Sequence, residues 1–204
     1  MNLYKVEEIE KVKDALLNGD IVAFGTDTVF GLACVYDDLK AIEKVYKAKN
    51  REAKKALPMM CGSVDMIDDV AYVSNKARTL MNKYMPGAIT IIYKKKDVIP
   101  DDCTSGLSTI GIRIPNDEFI LKLINIVGKP LLVTSCNMSH EPNLYKWEDV
   151  YKVMENRIDG LVQKDALGSG ASTIVDCSGD EIKILRDGPV SKEEIMDLIK
   201  EIEC

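Results

Sequence analysis

Ile21-Val22-Ala23-Phe24-Gly25-Thr26-Asp27-Thr28-Val29-Phe30-Gly31-Leu32 is the stretch on which the reading of the fold turns. Its first four residues form an apolar run bounded by a glycine, the signature of a short buried strand. A polar Thr-Asp-Thr follows at once, at the carboxyl end of that strand, where open α/β sheets hold their ligands. The same three residues also suit an ordinary turn, with Asp and Thr side chains bonding back to their own backbone. Upstream, Val6–Leu17 has helical apolar spacing and stops at Asn18-Gly19; downstream, Asp38–Lys47 reads as a second helix.

The alternation continues outward. Leu57–Cys61 reads as a strand that Pro58 pushes to a sheet edge or an irregular form. Helices are predicted over Val64–Val70 and Asn75–Tyr84, then Pro86-Gly87 and a strand Ala88–Tyr93. Thr109–Ile114 is a strand, Asp117–Val127 a helix, Pro130–Val133 a strand and Trp147–Glu155 a helix. Ser172–Asp176 and Ile182–Leu185 add two strands, and Ser191 with Glu194 makes a capping box for a last helix, Lys192–Ile202. There is no repeat or low-complexity run. The expectation is one α/β domain over residues 1–204, built on a single mixed sheet.

Composition narrows the chemistry. The 204 residues are 46% hydrophobic and 29% charged, a globular balance. No apolar run approaches the ~20 residues of a membrane span, and the N-terminus is amphipathic rather than signal-like, so the expected location is cytoplasmic. Lys and Arg total 27 against 33 Asp and Glu, a net charge of −6. Whole-molecule attraction to nucleic acid is therefore excluded, and any polyanion site must be local. The six Cys are scattered without a C-x-x-C pair and read as reduced, small hydrophobes. His140 is the one histidine, which argues against a His-rich zinc site and leaves any His-dependent triad a single base.

Charge concentrates in Lys44, Lys47, Lys49, Arg51, Lys54 and Lys55, interrupted by Glu52. Lys44 and Lys47 fall on a helical face. Lys49-Asn50-Arg51 and Lys55 lie beyond the helical pattern, where they form either a solvated face or a phosphate-binding group. Thr134-Ser135-Cys136-Asn137 follows an apolar strand. It has no G-x-S-x-G elbow, and its hydroxyls and amide suit ligand hydrogen bonding better than nucleophilic attack. Gly168-Ser169-Gly170-Ala171-Ser172-Thr173 is a Gly/Ser loop entering a strand, and matches neither a Walker loop nor G-x-G-x-x-G.

In their order, TDTVFGLA from Thr26, Lys49-Asn50-Arg51 with Lys55-Ala56-Leu57, PGAIT from Pro86, STIGIRIP from Ser108, LLVTSCNMS from Leu131, GSGASTIVD from Gly168 and LRDGPV from Leu185 resemble the YrdC-like family of threonylcarbamoyl-AMP synthases. The resemblance runs from about residue 10 to about residue 195 and suggests the short, single-domain form. It implies a twisted mixed sheet curved around a basic cavity, with helices packed outside. It implies ATP, with Mg2+, and L-threonine and bicarbonate as substrates, giving threonylcarbamoyl-adenylate and pyrophosphate. The threonylcarbamoyl group then passes, through a separate tRNA-modifying transferase complex, to the adenosine beside the anticodon. Carried over residue by residue, the family's pattern makes Lys49 and Arg51 catalytic phosphate contacts. Arg51, Lys55, Thr109, Ser135, Asn137 and Arg186 fall to ATP, and Thr28, Arg113 and Ser172 to threonine; no protein-held metal is implied.

Departures from the family pattern are Phe30 for Tyr, Glu52 and Ala56 where Pro is usual, Cys136 within S-x-N, and Met60 where some relatives carry His. Losing both prolines is expected to loosen the basic loop. Two competing readings use the same residues. One is a double-stranded RNA or tRNA binding module without turnover, holding phosphates on Lys49–Lys55. The other is a carbamoyl-transfer domain like those in hydrogenase maturation proteins, which sit in longer chains with zinc-binding parts.

Overall fold

The computed structural model describes residues 1–52, 55–168 and 170–203, without side chains for 201–203, so Lys54, Ser169 and Cys204 lie outside the described residues. The strands are β1 (Asn2–Tyr4), β2 (Val22–Gly25), β3 (Phe30–Val35), β4 (Met59–Met60), β5 (Ala71–Tyr72), β6 (Ile89–Lys95), β7 (Thr109–Arg113), β8 (Leu131–Ser135), β9 (Gly160–Val162), β10 (Thr173–Asp176) and β11 (Lys183–Arg186). All belong to one sheet in the order β1-β9-β2-β3-β8-β4-β7-β6-β10-β11, with β5 also paired to β6. Parallel and antiparallel ladders mix, as expected when hairpins and helical crossovers alternate.

Helices cover the two faces unequally. The helices are α1 (Ile9–Leu17), α2 (Leu39–Lys49), α3 (Val64–Val70), α4 (Asn75–Tyr84), α5 (Glu118–Val127), α6 (Trp147–Met154) and α7 (Lys192–Glu203). Because strand side chains alternate, Ala23, Leu32, Leu132 and Ile112 point to one core, shared with α2, α3, α4, α6 and α7. Val22, Phe24, Ala33, Val133 and Leu131 point to the other, shared chiefly with α1 and α5, with Met66 of α3 packed against it. α5 suits that place: Phe119, Ile120, Leu123, Ile124 and Val127 make a broad apolar stripe. Its start is fixed by the Asp117 carboxylate, which accepts from Ile120 N, and its end by Gly128 at φ 72°. The α1–α5 pair covers mainly the β9-β2-β3-β8 half of its face, reaching Met60 of β4. Over β4, β7, β6 and β10 the same face is left to a cavity.

Most helix boundaries agree with the sequence reading, because capping is local. Asp38, Ser63 and Ser74 each accept a backbone N–H at the expected helix starts. Three differences carry reasons. The Phe30–Val35 run, to which the sequence reading assigns no element, is a fully buried strand antiparallel to β2. β4 is central, lying between β8 and β7, instead of at an edge. Pro58 is tolerated beside it because the ladder needs only its carbonyl, which accepts from Val133 N at 2.9 Å, and pairing is confined to Met59-Met60.

Third, α2 runs on to Lys49 and ends at Asn50, whose φ of 51° is left-handed. Asn50 N bonds Lys47 O, and Arg51 N bonds Tyr46 O, a Schellman-type end that turns the chain sharply between Lys49 and Arg51. Asn50→Ala is expected to lower stability by about 1 kcal/mol, since Cβ disfavours the left-handed region, whereas Asn50→Gly is expected to be close to neutral. Urea unfolding of both variants checks this; equal losses would show that the Asn side chain, not the backbone angle, is what matters.

Candidate active site

The uncovered face forms a cavity of about 410 Å³. Strand register lays a row of its wall across the sheet: Met60 pairs with Arg113, Thr90 with Ile174, and Ile174 with Arg186. Three arginines (Arg51, Arg113, Arg186) line it, with the hydroxyls of Thr26, Thr28, Thr90, Thr109, Ser135 and Ser172. No Asp, Glu, His or Cys is among the described lining residues. A chain of net charge −6 therefore keeps a concave, carboxylate-free cationic surface, which attracts and holds anions.

Arg113 anchors one end. It is 4% exposed and held on three sides. Its Nε donates to Gly87 O (2.8 Å), Nη1 to Thr28 Oγ1 (2.7 Å) and Nη2 to Asp27 Oδ2 (2.6 Å). Thr28 is itself fixed. Thr26 Oγ1 gives its proton to Val29 O (2.7 Å) and accepts from Thr28 N (3.0 Å), so Thr28 is the donor in the 3.0 Å hydroxyl pair. Burial pulls the Arg113 pKa down and the adjacent Asp27 pulls it up; a guanidinium stays charged throughout.

A second cluster lines the same cavity. Arg186 donates through Nε to Ser172 O (2.9 Å) and through Nη2 to Ser172 Oγ (3.1 Å), while Ser172 Oγ lies 2.8 Å from Thr90 Oγ1. Gly188 permits this geometry, since a Cβ there would stand 2.4 Å from Thr173 N.

The basic segment divides three ways. Arg51 reaches the wall and bonds Lys55 O and Ala56 O at 3.1 Å each, folding its own loop back on itself. Lys49 is 1% exposed and lies outside the wall. Its ammonium donates to Ser135 O, to Asn137 O (2.7 Å) and to Asn137 Oδ1 (3.0 Å), so it supports the Ser135–Asn137 turn from beneath. Lys55 is half exposed, 3.8 Å from Glu52, and off the wall. Asn137 is also off the wall, bonded to Ser135 Oγ and to Glu141 O. Lys44 is taken up by Asp159 at 3.1 Å and Gly19 O at 2.8 Å. The described cations thus do not make one open basic patch.

Comparison with known proteins matches residues 14–188 to the Sua5, YciO and YrdC family, described as "Telomere recombination". The chain belongs to that family. A threonylcarbamoyl-AMP synthase of Bacillus subtilis is 34% identical over 191 residues, 92% of this chain and 55% of its own length. A Methanocaldococcus jannaschii relative is 35% identical over 201 residues, 94% of this chain and 95% of its own. The structure of Pyrococcus abyssi Sua5 complexed with L-threonine superposes with a TM-score of 0.92 at 28% identity, over 98% of this chain and 61% of that one. This chain thus spans little more than half of some relatives and nearly all of another.

Of the residues singled out in the sequence, this Sua5/YciO/YrdC fold gathers Thr28, Arg51, Thr109, Arg113, Ser135, Ser172 and Arg186 on one wall, and leaves Lys49, Lys55 and Asn137 off it. Sequence reading missed Thr90, Asn143 and the pairing of Asp27 with Arg113. The signal for Thr90 was a hydroxyl inside the apolar run Ile89–Ile92. Among the described residues no helix is long and apolar enough to cross a membrane.

Burial pulls Lys49 from 10.5 down to about 8. Between those values the unfolded chain holds more protons than the folded one, so Lys49's contribution to stability rises with pH across that window. Lys49→Met removes the increment. The urea midpoint of the wild type is expected to gain on that of Lys49→Met between pH 8 and about pH 10. A constant difference would mean an ordinary lysine.

Proposed function

We propose that this protein is a threonylcarbamoyl-AMP synthase, acting as one YrdC-like unit over residues 1–204. The observation that carries the reading is the carboxylate-free wall of three arginines and a ring of hydroxyls. Thr28, Arg113 and Ser172 take L-threonine; Arg51, Thr109, Ser135 and Arg186 take ATP. Because Arg186 bonds Ser172, the two subsites share a wall, which brings the amino acid to the α-phosphate. The M. jannaschii relative, aligned over nearly its whole length, and the threonine complex of the P. abyssi protein support the assignment.

The chemistry asks for charge and position. Threonine's amine, having lost a proton, attacks CO2 from bicarbonate and forms the N–C bond of a carbamate. A carbamate oxygen then bonds the α-phosphorus as the bond to pyrophosphate breaks. Both reactants are anionic, so the barrier is mainly repulsion and alignment, which fixed guanidinium groups and hydroxyls lower without a histidine base. Among the described residues no cluster of three or more His, Cys, Asp or Glu could hold a metal ion, and the described wall offers no carboxylate. On this reading Mg2+ enters as part of the MgATP substrate, bound through its phosphates. Lys49 acts from behind by fixing Ser135 and Asn137, and Lys55 lies outside the reacting groups. The product goes to a transferase complex that modifies tRNA. RNA binding as the main activity is disfavoured by the dispersal of the basic segment.

Purified protein with MgATP is expected to release pyrophosphate only when L-threonine and bicarbonate are both present, with labelled bicarbonate carbon recovered in a labile adenylate. Pyrophosphate without incorporated label would mean that the threonine carboxylate is adenylated instead. Arg51→Ala is expected to lose about 2–4 kcal/mol of transition-state stabilisation, roughly 30-fold to 10³-fold in rate, while Lys44→Ala and Lys55→Ala change little. Equal losses at positions 44 and 51 would replace the local site by a diffuse patch.

A further inference from the structure

We propose that Asp27 is the positioning residue of Arg113 and through it sets the affinity for the amino-acid substrate; this rests on the reading that Arg113 faces threonine. Asp27 does not line the cavity. Its carboxylate meets Arg113 through one oxygen: Oδ2 accepts from Arg113 Nη2 at 2.6 Å and from Asn116 N at 2.9 Å. Oδ1 is buried without a hydrogen-bond partner. A clamp serving the fold alone would pair both oxygens, because an unpaired buried acceptor is costly.

The one-oxygen contact has a functional sense. A guanidinium carries five N–H groups. Gly87 O, Thr28 Oγ1 and Asp27 Oδ2 engage one on each nitrogen, which leaves one N–H on each terminal nitrogen. Those N–H groups remain for an anionic ligand such as an α-carboxylate. A two-oxygen bridge to Asp27 would engage a fourth N–H and leave Arg113 a single one for a ligand. The observed geometry holds Arg113 without spending its recognition face.

Asp27 is also the counter-ion within reach. The other carboxylate near Arg113, Asp117, is committed to Lys164 at 2.5 Å and to the first turn of α5. Arg186, the remaining nearby charge, has the same sign as Arg113. The Gly168 segment lies on the Asp27–Thr28 backbone so closely that a Cβ there would stand 2.3 Å from Asp27 O and Thr28 Cα. Asp27 is thereby fixed through its backbone; its side chain keeps 11% exposure but is absent from the wall, so it acts on the ligand through Arg113.

The test is steady-state pyrophosphate release by the full chain, with KM for L-threonine and for ATP measured separately, alongside thermal melting. Asp27→Asn keeps the shape and removes the charge; it is expected to raise the threonine KM at least tenfold and to leave the ATP KM within twofold. Asp27→Glu keeps the charge but displaces it by one methylene, and is expected to raise the threonine KM at least fivefold with the same ATP insensitivity. It decides the matter if Asp27→Asn does not fold. Both KM values moving together, or neither moving, in a folded variant overturns the proposal and makes Asp27 a fold clamp. Arg113→Ala separates the two levels. If it raises the threonine KM while the Asp27 variants do not, only the positioning idea fails. If it leaves the threonine KM unchanged, the assignment of Arg113 to threonine falls, and the proposal with it.

Discussion

Burying the guanidinium of Arg113 at the end of β7 requires acceptors that no single segment of chain supplies. Gly87 O comes from the segment before β6, Thr28 Oγ1 and Asp27 Oδ2 from the turn between β2 and β3. An uncompensated buried charge is costly enough to prevent folding, so these segments must converge on Arg113. Their convergence brings Thr28 to the wall and sets the backbone on which the Gly168 segment rests. That segment leads to Ser172 and so to Arg186 and Thr90. Much of the cavity follows from satisfying one side chain.

The uneven helix layer makes this affordable in space. With α1 and α5 covering only part of their face, the strands β7, β6 and β10 turn alternate residues toward the cavity and the intervening ones into a fully packed core. Thr109, Gly111 and Arg113 alternate with Ile110 and Ile112, and Thr90 and Ile92 alternate with Ile89, Ile91 and Tyr93. The apolar half holds the sheet rigid, and the polar half inherits that rigidity. Sites on strands keep their geometry better than sites on free loops.

What the sequence revealed divides along the same physical line. Helix starts at Asp38, Ser63, Ser74 and Asp117 were legible because a cap and its N–H lie within three residues of each other. β3 and β9 were not, because a short buried strand is defined by partners far along the chain: β9 pairs with β1 and β2. The wall residues were legible chiefly through the order of family motifs, since nothing local to Thr109 or Ser172 says which way each points. Lys49 shows the limit most clearly. Local charge density grouped it with Arg51, yet the left-handed Asn50 separates them, and the oxygens that take up the ammonium come from Ser135 and Asn137.

Lys49 also explains why the wall carries arginine. Desolvation brings its ammonium to about 8, within reach of physiological pH, even with oxygens on several sides. A lysine set on the wall among Arg51, Arg113 and Arg186 would also be pushed down by like charge, as Arg51 already does to Lys49. Arg51, Arg113 and Arg186 are lowered by the same burial, but from so high a starting value that each stays charged. Each can moreover spend part of its N–H fork on the protein, at Lys55 O, Gly87 O or Ser172 O, and keep the rest for a ligand. An ammonium tied to the protein by its three protons has nothing left to offer. The division of labour, arginines on the wall and lysine beneath it, follows from the count of protons and from the cost of burying them.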